Sequence, residues 1–79
     1  MDNEITKKEL DIVYFISFCI EQYKIHISAS GTEVMDLFDK YGVTEFLSDN
    51  FEVLHTESRQ WLIEEIDEFI RQRRKEKEQ

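Results

Sequence analysis

His55, Thr56 and Ser58 stand together in the stretch DNFEVLHTESRQW (Asp49 to Trp61), with Glu52 and Glu57 beside them. A histidine within reach of a hydroxyl, and oriented by a carboxylate, is the arrangement that makes a nucleophile of serine or threonine. The same residue types also build hinges. Thr56 suits the N-cap of a following helix, and Glu57 suits the positive end of its dipole. Asn50 tolerates the left-handed conformation that stops a preceding helix. Phe51 and one of Val53 or Leu54 turn inward. Local capping explains the neighbours of His55, so His55 is expected to be a packed or hydrogen-bonded hinge residue.

The remaining chemistry-bearing residues are weaker. Cys19, His26 and His55 lack zinc-ligand spacing, and the chain has no CxxC, no HExxH and no glycine-rich phosphate loop. The carboxylate pairs Glu64-Glu65 and Asp67-Glu68 fall on the polar side of the last helix, where solvation is the ordinary role. The basic tail RQRRKEKE follows five acids on that helix (Glu57, Glu64, Glu65, Asp67, Glu68). Acids early and bases late match the helix dipole, and Asp67-Arg71 has ion-pair spacing. No catalytic, metal-ligating or cofactor-binding residue is therefore expected.

Composition limits what can position these residues. A chain of 79 residues is one domain, with an ordered core expected over about 5–75 and a frayed tail over 76–79. Such a domain buries only about 60% of its unfolded surface, and its stability is expected to lie at roughly 4–12 kcal/mol. Hydrophobic residues make up 41% of the chain, with two glycines and no proline, which favours helices with short connections. A formal charge of -8 opposes contact with bare nucleic acid and suits a basic protein partner. Cys19 has no partner for a disulfide and reads as a buried small hydrophobe in a reducing compartment. Lys7-Lys8 before the apolar run Ile12 to Ile20, with Ser28-Ala29-Ser30 after it, imitates a secretory leader. Asp2, Glu4, Glu9 and Asp11 argue against that, and the run is too short to span a bilayer, so a soluble cytoplasmic protein is expected.

The periodicity predicts an all-α fold: three long helices plus one short helix, with the first helix central. Thr6 and Glu9 form a capping box, with Ile5 and Leu10 in the staple positions, and the first helix runs to about Lys24. Its core arc is Ile12, Val13, Phe15, Ile16, Cys19, Ile20 and Tyr23. Lys24 to Ser28 (KIHIS) alternates and reads as extended. Ser30 and Glu33 form a second box, and Val34, Leu37, Phe38 and Tyr41 supply that helix's apolar face. Gly42 ends it in the left-handed conformation, with Val43 against Phe38. Thr44 caps a short helix carrying Phe46 and Leu47. The stretch FEVLH (Phe51 to His55) reads as extended, and a minimal two-stranded pairing with KIHIS is expected. The last helix runs from about Glu57 to Lys75, with a stripe of Leu62, Ile66, Phe69 and Ile70 and with Ile63 at its edge.

Two features point beyond the core. Leu10, Tyr14 and Phe18, spaced i, i+4, i+8, make a second apolar stripe that cannot share the arc of Ile12 and Ile16. A small chain has little surface with which to wrap one helix on both sides, so the stripe is expected to be a two-fold homodimer seam or the dock for a partner helix. From Glu33 to Glu57 seven acids, including Asp49, Glu52 and Glu57, face Lys40 alone. Trp61 lies roughly 140° from the centre of the last helix's stripe. It either packs on Phe46-Leu47 or stands as an aromatic anchor beside that acidic surface.

The segments FCIEQYK (Phe18 to Lys24), LFDKYGV (Leu37 to Val43), FEVLHT (Phe51 to Thr56) and EEIDEFI (Glu64 to Ile70) resemble the small bacterial proteins grouped as domain of unknown function 3791. The resemblance spans nearly the whole chain, with Phe51-Glu52 where Tyr-Asp is more usual. That family has no established activity, so the resemblance carries over no catalytic residue. It implies a gene beside another family that looks like ADP-ribosyltransferase toxins, and hence an antitoxin-like or accessory role.

The function expected is a non-enzymatic protein-interaction or regulatory module, with partner-binding residues Leu10, Tyr14, Phe18, Trp61, Asp49, Glu52 and Glu57. The alternative is a nucleic-acid-binding helix-turn-helix made of the second helix, the Gly42 turn and the short third helix. Glu33, Asp36, Asp39, Glu45 and Asp49 oppose it.

Overall fold

A computed structural model describes residues 5–77 as five helices: α1 (Lys7–Ile27), α2 (Gly31–Tyr41), α3 (Val43–Asp49), α4 (Phe51–Leu54) and α5 (Arg59–Lys77). The fold is all-α, and α1 is its central helix, packed against α2, α3 and α5. Both capping boxes form. Glu9 N donates to Thr6 Oγ1 at 3.1 Å and Thr6 N to Glu9 Oε1 at 2.9 Å; Ser30 and Glu33 repeat the exchange at 3.1 and 2.8 Å. Each box satisfies two backbone donors that a helix start leaves unpaired.

One core draws on all five helices. Phe15, Cys19 and Tyr23 of α1 meet Val34, Phe38 and Tyr41 of α2, Val43 and Leu47 of α3, Phe51 and Leu54 of α4, and Leu62, Ile66 and Ile70 of α5. The arcs expected from periodicity supply these residues, with two adjustments. Val13 is exposed, while Ile63 is fully buried and not marginal. Gly42 joins α2 to α3 by itself, at φ 73°, where its amide reaches Asp39 O and its carbonyl accepts from Phe46 N. The single left-handed residue turns the chain so that Val43 enters the core directly, and Thr44 lies inside α3 with no capping role.

Several expectations fail, each for a local reason. KIHIS is not extended: α1 continues through it to Ile27, and Ser28 closes the helix in the left-handed region, with Ala29 N bonded to Lys24 O. Its alternation was misleading because Ile25 and Ile27 are both exposed, so no buried face was being patterned. FEVLH is also helical: Phe51 and Leu54, at i and i+3, are buried while Val53 is exposed. Burial at that spacing needs a helical turn, and a strand would have paired Phe51 with Val53. With both segments helical, the two-stranded pairing does not form, and the described residues contain no strand. The turn at α4 is a second short helix beyond the one expected. Asn50, at φ -113°, is not left-handed; its Nδ2 donates to Phe46 O at 2.8 Å instead. At the C-terminus α5 stays helical to Lys77, which shortens the expected frayed tail; the remainder lies outside the described residues.

The cap of α5 also moves. Thr56 Oγ1 donates to Val53 O at 2.9 Å and so closes α4, while Ser58 Oγ accepts from Trp61 N at 3.2 Å and opens α5. Glu57 therefore precedes the cap. Ser58→Ala should lower stability by about 1 kcal/mol in a urea titration, the usual cost of losing an N-cap. Thr56→Ala should cost less, because its carbonyl acceptor lies at an exposed turn where water can replace it.

Candidate interaction surface

The outer face of α1 follows from 3.6 residues per turn. Phe15, Cys19 and Tyr23 point into the core, which sends Leu10, Tyr14 and Phe18 to the opposite side. They are left partly exposed there: Leu10 is 40% exposed, Phe18 44% and Tyr14 65%.

Where this face meets α4, the chain forms an open groove of about 770 Å³ lined by Lys7, Lys8, Asp11, Tyr14, Phe15, Phe18, Phe51, Glu52 and His55. Phe15 and Phe51 meet edge to face with centroids 5.5 Å apart. His55 stacks on Phe51 at 4.4 Å, nearly parallel, and its Nδ1 lies 2.7 Å from Phe51 O. A carbonyl only accepts, so Nδ1 donates in this contact. Two ion pairs stand at the margin, Lys7–Asp11 at 3.0 Å and Lys8–Glu52 at 3.1 Å. Both are exposed and worth about 0–1 kcal/mol each, so they orient the rim more than they hold the fold.

His55 is therefore a hydrogen-bonded, stacked hinge residue at the C-terminus of α4. The hydroxyls beside it bond locally: Thr56 donates to Val53 O and Ser58 accepts from Trp61 N. Among the described residues no group of three or more His, Cys, Asp or Glu is placed to hold a metal ion.

The structure brings together only part of the expected partner-binding set. Tyr14, Phe18 and Glu52 line the groove, and Leu10 continues the same face of α1. Asp49, Glu57 and Trp61 do not line it. Trp61 keeps 36% of its surface exposed, and Phe46 stacks on Phe69 at 4.3 Å. Phe69 lies eight residues on from Trp61, about 12 Å along the axis. Basic residues of the tail cover aromatic faces: Arg73 lies over Phe69 at 4.8 Å and Arg74 over Tyr41 at 5.5 Å.

One polar cluster was missed in the sequence. Asp67 does not pair with Arg71, which goes to Glu68. It accepts from the Tyr23 hydroxyl at 2.6 Å and lies 2.9 Å from His26 Nε2, tying α5 to the last turns of α1. The signal was present: Tyr23 sits in the core arc with a hydroxyl needing a partner, and Asp67 falls one turn after Ile63 at the edge of the apolar stripe.

Burial pushes the Cys19 thiol up to about 12, and burial, then the bond to Asp67, pushes the Tyr23 phenol well above its ordinary value. A raised folded value means stability complete below the unfolded value and lost above it. Thermal stability should therefore hold up to about pH 9 and then fall. Cys19 contributes first, and Tyr23 joins above about pH 10, each with a slope of at most about 1.4 kcal/mol per pH unit. Melting curves of the wild type, Cys19→Ala and Tyr23→Phe across pH 8–11 check this; each variant should lose its own part of the slope.

No helix among the described residues is long and apolar enough to cross a membrane. No curated protein and no solved structure matches the chain. Residues 14–73, which span most of α1, all of α2 to α4 and most of α5, match the family described as Protein of unknown function (DUF3791), and the chain belongs to that family.

Proposed function

We propose that this protein is a non-enzymatic, cytoplasmic interaction module, an antitoxin-like or accessory partner of a neighbouring gene's product. The observation that carries this reading is the outer face of α1 with its groove, where Tyr14, Phe18 and Phe51 gather between paired charges. An aromatic centre with a charged rim is the anatomy of a protein–protein contact. Exposed acids at Glu33, Asp36, Asp39, Glu45 and Asp49 on α2 and α3 favour a basic partner.

The helix-turn-helix alternative fits these elements poorly. A single residue, Gly42, separates α2 from α3, where that motif uses three or four. The exposed side of α3 offers Glu45 and Asp49 to any phosphate.

Affinity purification of the chain from its native host tests the reading. One stoichiometric basic protein is expected, weakened by the Glu45→Lys, Asp49→Lys double variant. DNA that stays bound through moderate salt, with no protein partner, would overturn it in favour of nucleic-acid binding.

A further inference from the structure

The outer face of α1 carries a charge pattern that selects its occupant. Along it run Lys7, Leu10, Tyr14, Phe18 and Glu21, all exposed, with the cation at one end and the anion at the other. These positions share one side of the helix at 100° per residue. The aromatic Tyr14 is at the middle, four residues from each apolar neighbour and seven from each charge.

We infer that a second copy of this chain docks there, α1 against α1 in antiparallel orientation, with the two-fold axis passing by Tyr14. In that register Tyr14 meets Tyr14, Leu10 of each copy meets Phe18 of the other, and Lys7 of each meets Glu21 of the other. Each charge pair occurs twice by symmetry, as an isologous contact requires. Lys7 and Glu21 now use the neighbours Asp11 and Lys24. These exposed pairs are weak enough to be shared with a second chain.

Other registers fail on charge or coverage. A parallel pairing sets Lys7 on Lys7 and Glu21 on Glu21. Sliding the antiparallel pair one turn in one direction sets Asp11 of each copy on Glu21 of the other. Sliding it the other way takes Phe18 off Leu10 and onto Thr6. Like charges directly opposite disfavour an interface, and an uncovered aromatic forfeits its burial. The acids of α2 and α3 lie on other helices and stay open to a basic partner.

The inference rests on reading the α1 face as a protein-binding surface, so its test uses the purified full chain alone. Cys19 is buried and stays out of the chemistry. Under mild oxidation Tyr14→Cys should form a disulfide dimer with itself. Leu10→Cys should cross-link to Phe18→Cys when the two are mixed, and Phe18→Cys alone should not self-link. The exposed Val53→Cys sets the rate of random collision. By light scattering at micromolar concentration the wild type should be a dimer and Tyr14→Glu a monomer with its helical circular dichroism retained. Lys7→Glu and Glu21→Lys should each weaken the dimer roughly tenfold, and the double reversal should recover most of it.

A wild type that stays monomeric at concentrations on the order of 100 μM, with Tyr14→Cys linking no faster than Val53→Cys, overturns the second-copy inference. If a host protein is then still lost with Tyr14→Glu, the α1 face remains a binding surface with a different occupant. If nothing depends on Tyr14, both readings fall.

Discussion

Phe38→Ala should cost about 3–5 kcal/mol, the range for deleting a fully buried aromatic side chain and leaving a cavity. Phe38 has no exposed surface and packs on Tyr23 with ring centroids 5.7 Å apart. Against a total stability of roughly 4–12 kcal/mol, that loss should leave much of the chain unfolded at room temperature. The same deletion at Phe18 should cost less, about 1–2 kcal/mol, because Phe18 is 44% exposed and leaves no closed cavity. Urea titrations at low protein concentration read both. The contrast separates the inward side of α1 from its outward side using one chemical change.

The second large effect is expected at Asp67. Asp67→Ala removes the acceptor of the Tyr23 hydroxyl and the neighbour of His26 together. A hydrogen bond to a charged group is worth about 1.5–3 kcal/mol, and the orphaned phenol adds its own desolvation cost. A loss of about 2–3 kcal/mol is expected. Tyr23→Phe should cost less, about 1–2 kcal/mol, since it removes the buried hydroxyl along with its need for a partner. The double variant should fall well short of the sum, because both changes break the same bond. Additive losses in that cycle would mean that Asp67 stabilises the fold by some other route.

The parts of the fold that were legible in the sequence are those with a signal at fixed spacing. Thr6 with Glu9, Ser30 with Glu33 and Gly42 each mark a helix end through a hydrogen-bond geometry that few other residues supply. The arcs of α1, α2 and α5 were long enough for periodicity to choose a face. The connections were not. KIHIS and FEVLH are five residues each, too short for a period of 2 to be told from one of 3.6. Their difference lay in burial, which depends on the rest of the chain: Phe51 and Leu54 turn inward because α1 presents Phe15 there. The α5 cap was expected at Thr56 and falls at Ser58, because the α4 turn uses Thr56 to close itself. Asp67 was hidden for a related reason. Its helical spacing fits Arg71 as well as any inward partner, and only the crossing of α1 over α5 brings Tyr23 and His26 to it.

For the interaction surface, the stripe Leu10, Tyr14, Phe18 was legible and lies where periodicity puts it. The groove beside it was not, since it needs α4 to be helical before Phe51, Glu52 and His55 can face α1. Trp61 and the acids Asp49 and Glu57 were grouped in sequence by proximity and charge alone, and neither property fixes where a side chain lies on the folded surface.

The central claim is that the outer face of α1 is a binding surface and not a part of the core left partly uncovered. Native mass spectrometry of the chain purified from its host, wild type beside Tyr14→Glu, tests it most directly. The account predicts that the wild type is found in complex, with a second copy or with another protein, and that the variant is found as a folded monomer with unchanged helical circular dichroism. The same complexes in both samples, or a variant that unfolds, would contradict it.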